Sequence, residues 1–169
     1  MRRSLKNVKE EIRILGLDAC NPRVVVGAVV RGGLYLDGVV VFPRRLRAGQ
    51  LANEIKSSKY FPELRTIMVH DLHRDLSSET IERITRLPTI RVSLDGRSRD
   101  RGTGVLYKRQ YKLRIRTRLD QSSLRKVLGI TQVISHVPEP LRIAHLLAKL
   151  HIFGRISQEK DKILRTLSL

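Results

Sequence analysis

Asp18 closes the run Ile12-Arg13-Ile14-Leu15-Gly16-Leu17 and precedes a chain break at Asn21-Pro22. A carboxylate at the end of a central strand projects from the sheet edge where open α/β folds bind ligands, and it offers Mg²⁺ the hard oxygen that this ion prefers. A turn aspartate ahead of Asn21-Pro22 is the plainer reading. His70-Asp71-Leu72-His73-Arg74-Asp75 follows a second apolar run, so His70 and Asp71 are candidates to share a site with Asp18. Such His/Asp clustering suits Zn²⁺ or Mn²⁺, although the spacing matches no standard zinc motif. The plainer reading here is a polar loop, with Asp75 or Ser77 near a helix start. Pro138-Glu139-Pro140-Leu141-Arg142-Ile143-Ala144-His145 is the most distinctive string. Prolines open a helix whose first N–H groups have no internal partner, and Arg142 and His145 then lie close on one helix face. Taken alone, a histidine in that setting is more often structural than catalytic.

These residues need elements to hold them. Ile12 to Leu17 reads as a strand ending at Asp18, and Arg23 to Arg31 is Val-rich and strand-like. Gly32-Gly33 supplies a hairpin turn, and the strand Leu34 to Phe42 returns and stops at Pro43, completing an antiparallel meander. The period then changes: Leu46, Leu51, Ala52 and Ile55 share a helical face between about Arg47 and Lys59. Leu64 to Val69 is a short buried strand. Ser77-Ser78 caps a helix carrying Ile81, Ile84 and Leu87 with Glu82 in its first turns, Pro88 ends it, and Thr89 to Leu94 is another strand. The order β-β-β-α-β-α-β describes an α/β fold with a mixed sheet, helices on its faces and parallel later strands. Asp95 to Gly104 is a polar loop, and Val105 to Thr117 alternates in parts as a hairpin or exposed strand does. A helix from Ser122 to Val127 and a last helix from near Pro138 close a single domain over residues 1–169, with 158–169 a short helix or frayed tail.

The chain has 169 residues, 41% of them apolar and 30% charged, which suits one compact core. With three Phe, four Tyr and no Trp, that core is aliphatic. Lys and Arg number 34 against 16 acids, a net charge of +18, and the isoelectric point is near 11.1. So large an excess repels itself unless a polyanion is near, which points to DNA or RNA as partner. Surface ion-pair networks, the other common source of many charges, need near-balanced signs. Arg97, Arg99, Arg101, Lys108, Arg109, Lys112, Arg114, Arg116 and Arg118 are spaced to follow a phosphate backbone, with Tyr107 and Tyr111 available for stacking. A solvated basic hairpin is the plainer reading of that segment. Cys20 is the one cysteine, so an internal disulfide is excluded and a reducing, cytoplasmic setting is expected. No apolar run is long enough to span a bilayer and no signal-peptide core follows Met1, so no membrane role is expected. Val-rich edges leave homo-oligomers open, but no string specifies one.

The strings quoted above, taken with the strand order, resemble endonuclease V and, more closely, an archaeal group related to it and associated with endonuclease dU activity. Ile14-Leu15-Gly16-Leu17-Asp18 is similar to the first catalytic strand of that group, and Gly27 through Val39 to its hairpin. Ile67-Met68-Val69 resembles the strand leading to its second aspartate, and Pro138 to His145 its C-terminal helix motif. The resemblance implies a ribonuclease-H-like fold and Mg²⁺-dependent cleavage of nucleic acid near a deaminated base, with metals activating water between converging carboxylates. Asp18 then matches the first metal-binding aspartate and His145 the helix histidine. Ala19 stands where the group has a second acid, and the group's next aspartate falls on His70-Asp71. Its glutamate falls near Pro43 to Arg45, where this chain has Arg44 and Arg45.

Two readings follow. One is a nucleic-acid-binding module with a degenerate metal site, in which Arg44, Arg45, Arg142 and the basic segment contact the polyanion. The other is a divergent endonuclease using Asp18, Asp71 and His145, with His70 or Asp37, and Mg²⁺ or Mn²⁺. Its imidazoles favour Mn²⁺ over Mg²⁺, because they are the softer donors.

Overall fold

The computed structural model describes residues 4–5, 7–70, 76–93, 105–109 and 111–150, with side chains outside 105–112. Its strands are β1 (Arg13–Asp18), β2 (Val24–Arg31), β3 (Tyr35–Pro43), β4 (Leu64–His70), β5 (Thr89–Ser93), β6 (Val105–Arg109) and β7 (Tyr111–Thr117). The helices are α1 (Ala48–Ser57), α2 (Ser78–Thr85) and α3 (Gln121–Thr131), followed by α4, described over residues 139–150. One seven-stranded sheet runs in the order β3-β2-β1-β4-β5-β7-β6. The meander β1-β2-β3 is antiparallel. Both β1–β4 and β4–β5 are parallel, as connections through α1 and α2 require.

Alternation along the central strands divides the core into two layers. Leu15, Leu17 and Ala19 of the β1 region, with Ile67 and Val69 of β4, pack against Leu51 and Ile55 of α1 and Ile81 of α2. Ile14 and Met68 face the other way, against Leu124, Val127 and Leu128 of α3 and Leu141 of α4. A strand covered on both faces is apolar along most of its length, which is why Ile14 to Leu17 and Ile67 to Val69 read as apolar runs. Gly16, Asp18 and His70 belong by parity to the α3/α4 face, and this fixes what they meet.

The local signals act as the sequence suggests. Gly32 takes φ 61° in the β2–β3 turn, a backbone region that glycine enters without a Cβ clash. Ser77 caps α2, its hydroxyl accepting the Thr80 N–H at 3.2 Å. Two elements go further than expected. The α3 helix starts at Gln121, where Asp120 caps it by accepting the Ser123 N–H at 2.8 Å, and runs to Thr131 instead of stopping near Val127, with Leu128 and Thr131 buried in its last turn. The segment Val105 to Thr117 is a hairpin, and its second strand pairs antiparallel with β5, so it extends the main sheet. Residues 158–169 lie outside the described residues.

Candidate functional site

Asp18 is the last residue of β1, and the parallel register pairing Leu17 with Val69 sets His70 beside it. His70 itself closes β4, one residue beyond the expected end of that strand. The third partner arrives on α4, which lies along β1. A Cβ on Gly16 would collide with the Pro140 carbonyl oxygen, so glycine lets the start of α4 reach the strand backbone. Further along, the Asn21 side-chain amide donates to the Ala148 carbonyl at 3.1 Å, and its oxygen accepts the Arg23 N–H at 2.9 Å. Ala144 packs on Ala28 and Val30 of β2. The helix is thereby fixed at both ends, and His145 hangs between them over Asp18.

Asp18 is fully buried. Its Oδ2 lies 2.9 Å from His70 Nδ1 and 3.1 Å from His145 Nδ1, while Oδ1 accepts the Cys20 N–H at 2.8 Å. The rings are nearly perpendicular, at 83° with centroids 6.0 Å apart. Burial pushes the Asp18 carboxyl up, but hydrogen bonds from His70 and Cys20, with the nearby His145, outweigh it and hold the group well below the usual carboxylate range. An ionised carboxylate only accepts, so each Nδ1 carries a proton in this arrangement. The Cys20 thiol is pushed up to about 12, first by burial and then by the Asp18 charge beside it. It is therefore a thiol and not a nucleophilic thiolate at neutral pH.

The structure thus brings together Asp18, His70 and His145, and their ligating atoms all lie within 4.8 Å of one another. Asp71, Arg97, Arg99 and Arg101 lie outside the described residues. Tyr107, Lys108 and Arg109 fall on β6 and Tyr111 and Lys112 on β7, at the sheet edge beyond β5. Arg44 and Arg45 directly follow β3, whose Pro43 pairs with Val24, so they stand at the Asp18 end of the sheet with exposed Arg23. Exposed Lys149 adds a further cation beside Cys20. Arg142 is engaged within its own helix. Its Nε and Nη2 donate to Glu139 one turn earlier, at 2.9 and 2.8 Å, because Glu139 is 1% exposed and a buried carboxylate needs a partner. Asp37 is remote from the site, paired with Arg13 at 2.7 Å and Arg31 at 3.3 Å at the far end of the strands. Gly16, Cys20 and Asn21 are the positioning residues that sequence reasoning missed. Their signal was present only as a glycine in a strand and a break at Asn21-Pro22.

Mg²⁺ fits this donor set poorly. It favours octahedral oxygen coordination, and the cluster offers two nitrogens and one carboxylate with an oxygen already engaged by Cys20. Softer divalent ions accept such a set.

No protein-family model matches the chain. It is 30% identical over 187 aligned positions to a UPF0215 protein of Methanosarcina barkeri, covering 88% of this chain and 94% of that relative. The chain belongs to the UPF0215 family. A UPF0215 protein of Methanopyrus kandleri is 28% identical over 185 positions, with 85% and 93% covered. Among solved structures, a protein of unknown function from Archaeoglobus fulgidus aligns with a TM-score of 0.64 at 22% identity, over 82% of this chain and 97% of that one. Human ENDOV aligns at 0.58 and 14% identity, with 86% of each chain covered. Endonuclease V from Streptomyces avermitilis aligns at 0.55 and 18%, covering 87% of this chain and 84% of its own. This UPF0215 chain therefore has the endonuclease V, ribonuclease-H-like fold expected of it. No helix among the described residues is long and apolar enough to cross a membrane.

Proposed function

We propose that this UPF0215 protein binds nucleic acid through an endonuclease V-like fold whose metal site has lost the acids of a two-metal nuclease. The observation that carries the reading is the exchange of charge at one end of the sheet. Asp18 is the sole carboxylate in the described cluster, beside His70 and His145, and Arg23, Arg44, Arg45 and Lys149 gather at the same end. Arginines attract phosphate and repel divalent cations, so they strengthen binding while opposing a two-metal mechanism. The net charge of +18 supplies the long-range part of the attraction.

The test is affinity for single- and double-stranded DNA and RNA as a function of salt. A protein contacting six or more phosphates loses about a thousandfold in affinity between low and moderate salt. A flat dependence would remove the electrostatic basis of the proposal. The second reading, a divergent endonuclease acting near deaminated bases, is favoured by the convergence of three metal-ligating side chains on one point. Metal-dependent nicking of uracil- or inosine-containing strands, abolished by Asp18→Ala, would replace the binding-only reading with it.

A further inference from the structure

We propose that Asp18, His70 and His145 hold a single divalent transition-metal ion of the Mn²⁺-to-Zn²⁺ series, bound through Asp18 Oδ2 and the two Nδ1 atoms, in preference to Mg²⁺. This deepens the functional reading and rests on it only in taking the cluster as the altered metal site of an endonuclease V-like fold. An ion held about 2.1 Å from each donor sets neighbouring donors about 3.0 Å apart in octahedral geometry and about 3.4 Å apart in tetrahedral geometry. The two oxygen-to-nitrogen separations here are 2.9 and 3.1 Å. Perpendicular rings let the imidazoles approach one point from different directions. Two imidazoles and a carboxylate form the donor set that suits Mn²⁺, Fe²⁺, Co²⁺ and Zn²⁺, whereas Mg²⁺ gains little from nitrogen.

The cations at this end of the sheet oppose an ion, and the groups nearest Asp18 act the other way. Cys20 N–H fixes Oδ1, so Oδ2 is turned toward the histidines, as an outer hydrogen bond orients a metal-binding carboxylate. The His145 side chain is 31% exposed, which gives a solvent route to an otherwise buried cluster. Three protein donors leave room in the coordination shell for water or a phosphate oxygen. Without metal, both Nδ1 protons serve Oδ2 as hydrogen bonds. Binding requires each Nδ1 to give up its proton and each liganding ring to keep one on Nε2.

The experiment strips the full chain with EDTA and titrates it with Co²⁺, following the visible absorption, with Zn²⁺, Mn²⁺ and Mg²⁺ as competitors. One equivalent of Co²⁺ is expected, displaced by Zn²⁺ and unmoved by millimolar Mg²⁺. His145→Ala should weaken Co²⁺ binding by at least about tenfold, since loss of even an outer-shell partner does so. His70→Asp should retain an ion but let Mg²⁺ compete, because an oxygen donor replaces a nitrogen. This gain of Mg²⁺ binding is a change that simple destabilisation does not produce, and it remains decisive should His145→Ala fail to fold. Absence of saturable Co²⁺ and Zn²⁺ uptake overturns the proposal. So does uptake that folded His145→Ala leaves unchanged, or displacement of Co²⁺ by Mg²⁺ as readily as by Zn²⁺. Nucleic-acid affinity of the stripped protein is measured alongside: its absence with Co²⁺ uptake intact defeats the functional reading alone, and salt-dependent binding without metal uptake defeats the metal assignment alone.

Discussion

Asp18 and Asp37 stand toward opposite ends of the same antiparallel strands, and each is held between two basic side chains. Asp18 lies between His70 and His145, with Oδ2 at 2.9 and 3.1 Å from their Nδ1 atoms. Asp37 lies between Arg13 and Arg31, at 2.7 and 3.3 Å. The arrangements differ in burial and in the chemistry of the flanking bases. Asp18 is fully buried, whereas the Asp37 side chain is 19% exposed and its arginines reach further into water. Guanidinium is permanently charged and has no lone pair to give, so the Asp37 cluster can only be an ion pair. Imidazole changes tautomer and offers a donor nitrogen, so the Asp18 cluster has a second state open to it. A carboxylate between two bases is therefore a site only where those bases can exchange a proton for a metal.

The strongest way to break the contrast is Gly16→Ala. The new Cβ meets backbone atoms of Pro140 and Leu141, which cannot move aside as a flexible side chain would. A loss of about 3 kcal/mol is expected in denaturant unfolding, with His145 drawn off Asp18 and the Asp37 cluster untouched. Next is Asp18→Asn, expected to cost about 2 kcal/mol at neutral pH because the buried donors lose an ionised acceptor. The folded-state pKa of Asp18 lies below its ordinary value of 3.8. Its contribution is therefore complete above that value and is lost as pH falls toward the lower folded-state pKa. Acid unfolding curves should show a shallower fall below about pH 4 in Asp18→Asn than in the wild type.

Asp37→Asn sharpens the comparison from the other side. Its partly exposed pairs should contribute less than about 1 kcal/mol, and the difference should fade in high salt, unlike that of Asp18→Asn. The smallest effect is on Cys20. Its thiol, pushed up to about 12, should react slowly with alkylating reagents at mildly alkaline pH. Removing the neighbouring charge in Asp18→Asn should speed the reaction several-fold, and less if burial alone controls it.

Much of the frame was legible because it depends on neighbours along the chain. The aliphatic run before Asp18, the Gly32 turn, the Ser77 cap and the prolines opening α4 all act within a few residues of themselves. The order of elements was enough to set the antiparallel meander and the parallel strands after it, but not the attachment of β7 to β5. The place of His70 was of another kind. It turns on strand parity, and the pairing of Leu17 with Val69 puts His70 on the face that α4 covers.

By itself, then, the sequence determined the α/β architecture, the strongly basic character and the candidacy of Asp18 and His145. Periodicity, turn chemistry and net charge are local or summed properties, and none requires knowing which distant residues meet. Only the tertiary structure decided that His70 completes the cluster, that Glu139 holds Arg142 and that Asp37 belongs to an ion pair. Asp18 and His145 are 127 positions apart. They meet because a glycine in β1 and the Asn21 amide let α4 lie against that strand, and closeness of this kind is fixed by packing between elements.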